Sequence, residues 1–196
     1  MTNTTVRIES IEIKNFKNVG YGHLDFEESK KGGRASILGL YGQNGSGKTA
    51  LIDALELLRF ALSGRAIPAY FADYINVDSE YATLKYGFKV NNQSTNCIYS
   101  VFYEVNLRRD IDNTEHNTER LAVDDHYKAV LFNEVLSYSY ECGDKKVRLS
   151  PAINTSTADD VVFAPATKYR SIIGKDKESF TGLLVAKQLA SATSRS

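Results

Sequence analysis

The chain has 196 residues, of which 42% are hydrophobic and 24% charged, so it can bury one substantial core or two small subdomains. Lys and Arg together number 24, as do Asp and Glu, and this balance lacks the basic excess of a typical nucleic-acid-binding domain. No apolar run approaches the roughly 20 residues needed to span a bilayer, and the N-terminus lacks a signal-peptide pattern. We therefore expect a globular, cytoplasmic protein without membrane contact.

The first predicted elements form a hairpin. From Val6 to Ile13, branched apolar residues alternate with polar ones and change phase near Ser10, which predicts a strand with a bulge or bend. Leu24 and Phe26 indicate a short partner strand. The apolar run at residues 35–42 is typical of a strand buried on both faces, and it leads directly into a glycine-rich loop.

A helix is predicted after this loop, over residues 49–64. No proline interrupts it, and Gly64 stands where a C-cap glycine is expected. Its apolar residues recur at helical spacing: Leu51, Ala54, Leu55, Leu58, Ala61 and Leu62.

Residues 80–150 have the pattern of antiparallel strands. The polar stretch at residues 110–125 predicts an exposed hairpin loop, and residues 178–192 return to a helical pattern. Two alternating apolar faces are predicted, one with Tyr99, Val101, Tyr103, Val105 and Leu107, the other with Val130, Phe132, Leu136, Tyr138 and Tyr140.

The two cysteines, Cys97 and Cys142, are far apart in the sequence. Neither has a second cysteine or a histidine at the spacing of zinc ligands, so no zinc site is predicted. We interpret both as separate buried or half-buried thiols.

The glycine-rich loop satisfies G-x-x-x-x-G-K-[ST], the P-loop pattern, between a predicted strand and a predicted helix. Its glycines let successive backbone N–H groups face an anion, and the helix adds the positive end of its dipole. Lys48 can reach the β- and γ-phosphates of ATP, and the Thr49 hydroxyl can coordinate Mg²⁺. The predicted nucleotide-binding residues are Gly42, Gln43, Asn44, Gly45, Ser46, Gly47, Lys48 and Thr49.

The loop and its flanks resemble a known family. IEIKNFKN, an LDF strand and ILGLYGQNGSGKTALIDAL resemble the start of ABC-type ATPases of the SMC, RecF and overcoming-lysogenization-defect (OLD) group, among bacterial ATP-binding proteins of AAA type. The resemblance implies an α/β P-loop NTPase head lobe, with a mixed sheet around the P-loop helix and an antiparallel β subdomain. It also implies that Asn15, Phe16 and Lys17 lie near the nucleotide, with Lys17 close to the phosphates.

The chain departs from that family on the C-terminal side of the loop. An LSGGQ-like signature, an apolar strand ending in Asp-Glu and a switch histidine are not in the sequence. Glu134 has no preceding Asp, and we interpret it as a solvent-facing strand residue. Gln188 is the nearest candidate for the family's Q-loop glutamine.

These departures suggest that residues 1–196 form an N-terminal lobe: residues 1–64 hold the hairpin and P-loop, residues 80–150 the β subdomain and residues 178–192 a helix. A C-terminal lobe outside this sequence and a second copy, head to head, would complete an ATPase of the DNA-maintenance or phage-defence kind. The absence of sustained heptads disfavours long-armed SMC proteins. We expect this chain to bind ATP and Mg²⁺ with negligible hydrolysis, and its charge gives DNA contact no support.

Two alternatives stay open. A self-contained small kinase or GTPase needs its own Walker B acid or an N-K-x-D motif, and the sequence has neither. An interaction module with a relic P-loop is disfavoured by the intact Lys48 and Thr49, which would be lost easily once phosphate and Mg²⁺ no longer matter.

Overall fold

A computed structural model describes residues 4–26, 39–43, 45–63, 65–111, 127–154 and 162–163 of the chain. The elements are β1 (Thr4–Phe16), β2 (Val19–Asp25), α1 (Lys48–Ser63), a 3-10 helix (Ala69–Tyr74), β3 (Tyr81–Asn92), β4 (Cys97–Ile111), β5 (Tyr127–Cys142), β6 (Lys145–Asn154) and β7 (Val162–Phe163). Among the residues that the structure describes, no helix is long and apolar enough to cross a membrane.

The strands form one seven-stranded sheet in the order β2-β1-β3-β4-β5-β6-β7. All its pairings are antiparallel, so the described sheet is not the predicted mixed sheet. The N-terminal hairpin joins the predicted β subdomain directly, because β1 pairs with β3 from Thr4 to Lys14. The expected hairpin and antiparallel strands are therefore confirmed, but they share a single sheet.

The predicted phase change in β1 is confirmed. Ile8 pairs with Phe88 of β3 and Ser10 pairs with the next residue along, Gly87, so Glu9 is an extra residue in β1. Such a bulge turns the following side chains to the other face. Ile11 and Ile13 consequently reach the core, where each is at most 5% exposed.

Helix α1 confirms the predicted helix, and Gly64 lies outside the described residues. Its buried face includes Ala50, Ala54, Leu57, Leu58 and Ala61 and packs with the apolar face of the sheet. Leu62, which the periodicity places with the apolar positions, is exposed in the last turn.

The strand predicted at residues 35–42 is not found where the structure describes that segment. Residues 39–43 lie outside helices and strands, and residues 35–38 lie outside the described part. Leu40 is exposed, and Tyr41 is 96% exposed. The described segment therefore adds no parallel strand beside β1.

The core lies between one face of the sheet and the two helices. The Tyr86 hydroxyl of β3 donates a hydrogen bond of 2.6 Å to the Ala54 carbonyl of α1, and burial raises the pKa of that phenol well above its usual value. Arg109 of β4 donates to the carbonyls of Ala72 (2.9 Å) and Ile75 (2.6 Å), at the end of the 3-10 helix. Side chains thus join both helices to the sheet.

The other face of the sheet carries a row of ion pairs. Lys85 on β3 lies 3.5 Å from Glu12 on β1 and 3.4 Å from Glu104 on β4. Partial burial opposes the charge, but the two carboxylates raise the pKa of Lys85 above its usual value. This face is therefore polar, and the helices cover only the apolar one.

A second bulge corrects the prediction for Glu134. Val135 pairs with Glu104 and Phe132 with Asn106, so Asn133 and Glu134 together lie opposite one residue of β4. Asn133 adopts a left-handed φ of 49°, and Glu134 turns inward to 3% exposure instead of facing solvent. The bulge also divides the predicted apolar face: the register places Val130 and Phe132 on the face opposite Leu136, Tyr138 and Tyr140.

Glu134 accepts a hydrogen bond of 2.7 Å from the buried Tyr103 hydroxyl of β4. Burial, and then the carboxylate of Glu134, raise the pKa of Tyr103 well above its usual value. The predicted face of Tyr103, Val105 and Leu107 is confirmed, since all three are at most 1% exposed.

The interpretation of the cysteines as separate thiols is wrong in this structure. The register of β4 and β5 places Cys97 directly opposite Cys142, with Cα atoms 4.3 Å apart, and a disulfide joins them. Their separation of 45 residues hid this proximity, because it depends on the pairing of two strands distant in sequence.

Other predictions fall outside the described residues. They are the helix at 178–192 with Gln188, and the 112–125 part of the predicted hairpin loop. Asp110 and Ile111, the first two residues of that predicted loop, belong to β4.

Candidate functional site

The P-loop lies at the N-terminus of α1, and Asn44 is its one residue outside the described part. Gly45 and Gly47 have φ values of +86° and +88°, which residues other than glycine rarely adopt. A Cβ at Gly42 would lie only 2.8 Å from the Ser46 hydroxyl oxygen. Gly45 and Gly47 therefore need glycine, whereas a side chain at Gly42 would require the Ser46 hydroxyl to move.

The Lys48 ammonium group is hydrogen-bonded within the loop. It donates to the carbonyls of Gly42 (2.7 Å) and Gln43 (2.8 Å) and to the Ser46 hydroxyl (3.2 Å). A positive charge is thus held within the loop at the N-terminus of α1, where backbone N–H groups also favour an anion. Thr49, in the first turn of α1, is exposed.

The turn between β1 and β2 (residues 15–19) lies against the P-loop. The side-chain amide of Asn18 donates to the Gly45 carbonyl. A Cβ at Gly47 would lie 2.8 Å from the Val19 Cγ2 atom. The structure therefore brings the N-terminal IEIKNFKN element and the P-loop together, although 27 residues separate Asn18 from Gly45.

Lys17 in this turn forms an ion pair with Asp53 of α1. Its Nζ also lies 4.0 Å from the centroid of the Tyr74 ring, a cation-π contact. The lysine thus lies beside the P-loop helix, with a carboxylate and an aromatic ring as neighbours. Contact between Lys17 and phosphates stays a prediction.

Phe16 and Asn15 have mainly structural contacts here. The Phe16 side chain is 0% exposed, so it belongs to the core. Asn15 has a left-handed φ of 55°, and its carbonyl accepts a hydrogen bond of 2.9 Å from the Asn76 N–H. The closeness of Asn15 and Phe16 to a nucleotide stays a prediction.

The sequence patterns did not predict two residues that lie near the P-loop, Asn18 and Asp53. Asn18 follows Lys17 within the recognised element, but nothing in the sequence pairs it with Gly45. Asp53 occupies a helical position that faces the sheet, where an apolar residue is the usual choice. This interruption of the apolar face was the available signal that Asp53 has a specific partner.

The residues present fit ATP with Mg²⁺. The glycines keep side chains away from the loop backbone, so its N–H groups can hold phosphate oxygens. Lys48 would supply a positive charge, and the hydroxyl of Thr49, an exposed residue, would supply a metal ligand. Bound Mg²⁺ would neutralise charge on the phosphates.

The sequence model of the AAA domain family matches residues 10–163, which include both hairpin and P-loop. This range covers more than half of the chain. No curated protein matches the chain. The P-loop at the head of α1 and the family match lead to one conclusion: the chain belongs to the AAA domain family of P-loop, nucleotide-binding ATPases.

Proposed function

We propose that the loop from Gly42 to Thr49 binds Mg-ATP, and that the chain serves as the N-terminal lobe of an ABC-type ATPase. The observation that carries the first part is the Lys48 ammonium held within a loop whose Gly45 and Gly47 adopt left-handed φ values. In that role Lys48 exchanges loop carbonyls for phosphate oxygens, which are stronger acceptors because they are charged.

The second part rests on the N-terminal element. Its contact with the P-loop through Asn18 supports the resemblance to the SMC, RecF and OLD group, in which the element precedes the loop. We propose a role in DNA maintenance or phage defence on this resemblance alone. In such a protein, ATP joins this lobe and its C-terminal lobe to a second copy.

The metal role of Thr49 gives a direct test. We expect Thr49→Ala to weaken ATP binding about tenfold with Mg²⁺ present and much less in EDTA, since the backbone contacts to phosphate remain. Calorimetric titration of wild type and variant, each with Mg²⁺ and with EDTA, measures this difference.

Thr4→Ala, at an exposed position of β1, is the matched control. Equal weakening of Thr49→Ala with and without metal would remove Thr49 from the Mg²⁺ shell. A wild-type chain that shows no Mg²⁺-dependent binding would contradict the proposed function and favour the relic P-loop.

We further propose that this 196-residue chain binds ATP but hydrolyses it negligibly. The P-loop supplies contacts to the ground state, whereas hydrolysis also requires a group that orients water and groups that stabilise the transition state. Glu134, the acid of the VLFNEVL strand, is instead buried against Tyr103. Each missing group of this kind costs about a hundredfold or more in rate.

A steady-state phosphate-release assay on the purified chain tests this expectation, with Lys48→Ala as control for contaminating ATPase. We expect equal, background rates in both proteins. Turnover of about one per second in wild type alone, an ordinary rate for a complete enzyme, would show that a catalytic acid lies within these residues.

A further inference from the structure

The β1–β2 turn (residues 15–19) is fixed by hydrogen bonds to the segment after the 3-10 helix. The Lys17 N–H donates to the Tyr74 carbonyl, and the Asn76 side-chain amide donates to the Lys17 carbonyl at 3.3 Å. Phe16 anchors the turn in the core and bridges to Ile75. The turn therefore presents Asn18 to the P-loop from a well-supported position.

Asn18 contacts one of the two P-loop glycines that have a left-handed φ. Its amide donates to the carbonyl of Gly45, a residue with φ of +86°. Because the peptide bond is planar, holding this carbonyl also fixes the direction of the Ser46 N–H, which donates to the Gln43 carbonyl at 3.2 Å. One peptide plane is thus held at both ends.

The same turn also contacts the last glycine of the motif. Val19 leaves no room for a side chain at Gly47, where a Cβ would approach its Cγ2 atom to 2.8 Å. Glycine loses more conformational freedom on ordering than any other residue. A loop in which the Gly45 carbonyl is already hydrogen-bonded loses less of that freedom when phosphates bind.

We propose that Asn18 is a positioning residue for nucleotide binding, which sets the Gly45–Ser46 peptide of the P-loop in its binding conformation. This inference rests on the proposed binding of Mg-ATP and adds a residue outside the motif to that site. Asn18 acts through Gly45, and its side chain is exposed, so its substitution leaves the core untouched.

We expect Asn18→Ala to raise the Kd for Mg-ATP about five- to tenfold, because the Gly45–Ser46 peptide must then be ordered when the phosphates bind. Asn18→Asp keeps the size of the side chain but removes the donor, so it should weaken binding at least as much. Tripolyphosphate should lose affinity by the same factor as ATP, because the contact acts on the phosphate loop. The midpoint of urea unfolding should fall only slightly in both variants, because the lost hydrogen bond is exposed.

Calorimetric titrations and urea unfolding of wild type and both variants measure these effects, with Asn91→Ala, exposed on β3, as the matched control. Wild-type affinity in Asn18→Ala or in Asn18→Asp would overturn the inference and leave the proposed function standing. So would a loss of affinity accompanied by an equal loss of folding stability. Failure of wild type itself to bind Mg-ATP would instead reject the proposed function.

Discussion

Replacing Lys48 by alanine is expected to weaken Mg-ATP binding by about a hundredfold or more, because hydrogen bonds to charged groups contribute about 1.5–3 kcal/mol each and the ammonium can make at least two. The fold should persist, since Lys48 lies at the start of α1 and, among the described residues, donates only to its own loop. Calorimetric titration with Mg-ATP and a thermal melt without nucleotide measure the two effects.

Lys145→Ala, at an exposed position of the β5–β6 hairpin, controls for the general loss of a positive charge. It should bind Mg-ATP as wild type does. If Lys48→Ala binds Mg-ATP as tightly as wild type does, Lys48 does not contact the phosphates, and the proposed site would have to be abandoned.

Phe16→Ala is expected to lower the free energy of unfolding by about 3–5 kcal/mol, the usual cost of removing a fully buried aromatic side chain. Phe16 is 0% exposed, and its ring meets that of Tyr74 edge-on, with centroids 5.8 Å apart. Urea unfolding followed by circular dichroism measures the loss.

Phe102→Ala is the matched control, because Phe102 lies on the polar face of the sheet and is 46% exposed. It should cost much less than Phe16→Ala. An unchanged stability of Phe16→Ala together with lost ATP affinity would mean that Phe16 serves the nucleotide, as the family resemblance implied, and that its place in the core is wrong.

Sequence patterns correctly predicted the elements that depend mainly on residues close together in the chain. The periodicity of α1 and the phase change near Ser10 each depend on neighbouring residues, and the structure confirms both. The P-loop motif likewise specifies its own backbone, since Gly45 and Gly47 must adopt left-handed φ values. For these features, the sequence contains nearly all the determining information.

Features that depend on strand register were predicted poorly. Glu134 is buried because a bulge opposite β4 changes the phase of β5, and an uninterrupted alternating pattern gives no sign of it. The disulfide between Cys97 and Cys142 depends on the same pairing. A one-residue shift reverses every side chain of a strand, so register must be known before burial can be assigned.

The residues that surround the P-loop could not be predicted from the sequence for a related reason. Asn18 and Asp53 reach the site through contacts across 27 and 36 residues of sequence. No rule of local spacing predicts such pairs. The sequence therefore predicted the phosphate loop, while the residues that support it became visible only in the folded chain.

The position of β1 has a consequence for synthesis of the protein. β1 lies between β2 and β3, and β3 begins at Tyr81, well after the P-loop helix. During translation the β1–β2 hairpin can form early, but one edge of β1 stays unpaired until β3 has left the ribosome. An unpaired edge is a template for pairing with another chain. We therefore expect a chain whose hairpin forms before β3 is made to have this edge open to aggregation or chaperone capture until β3 pairs with it.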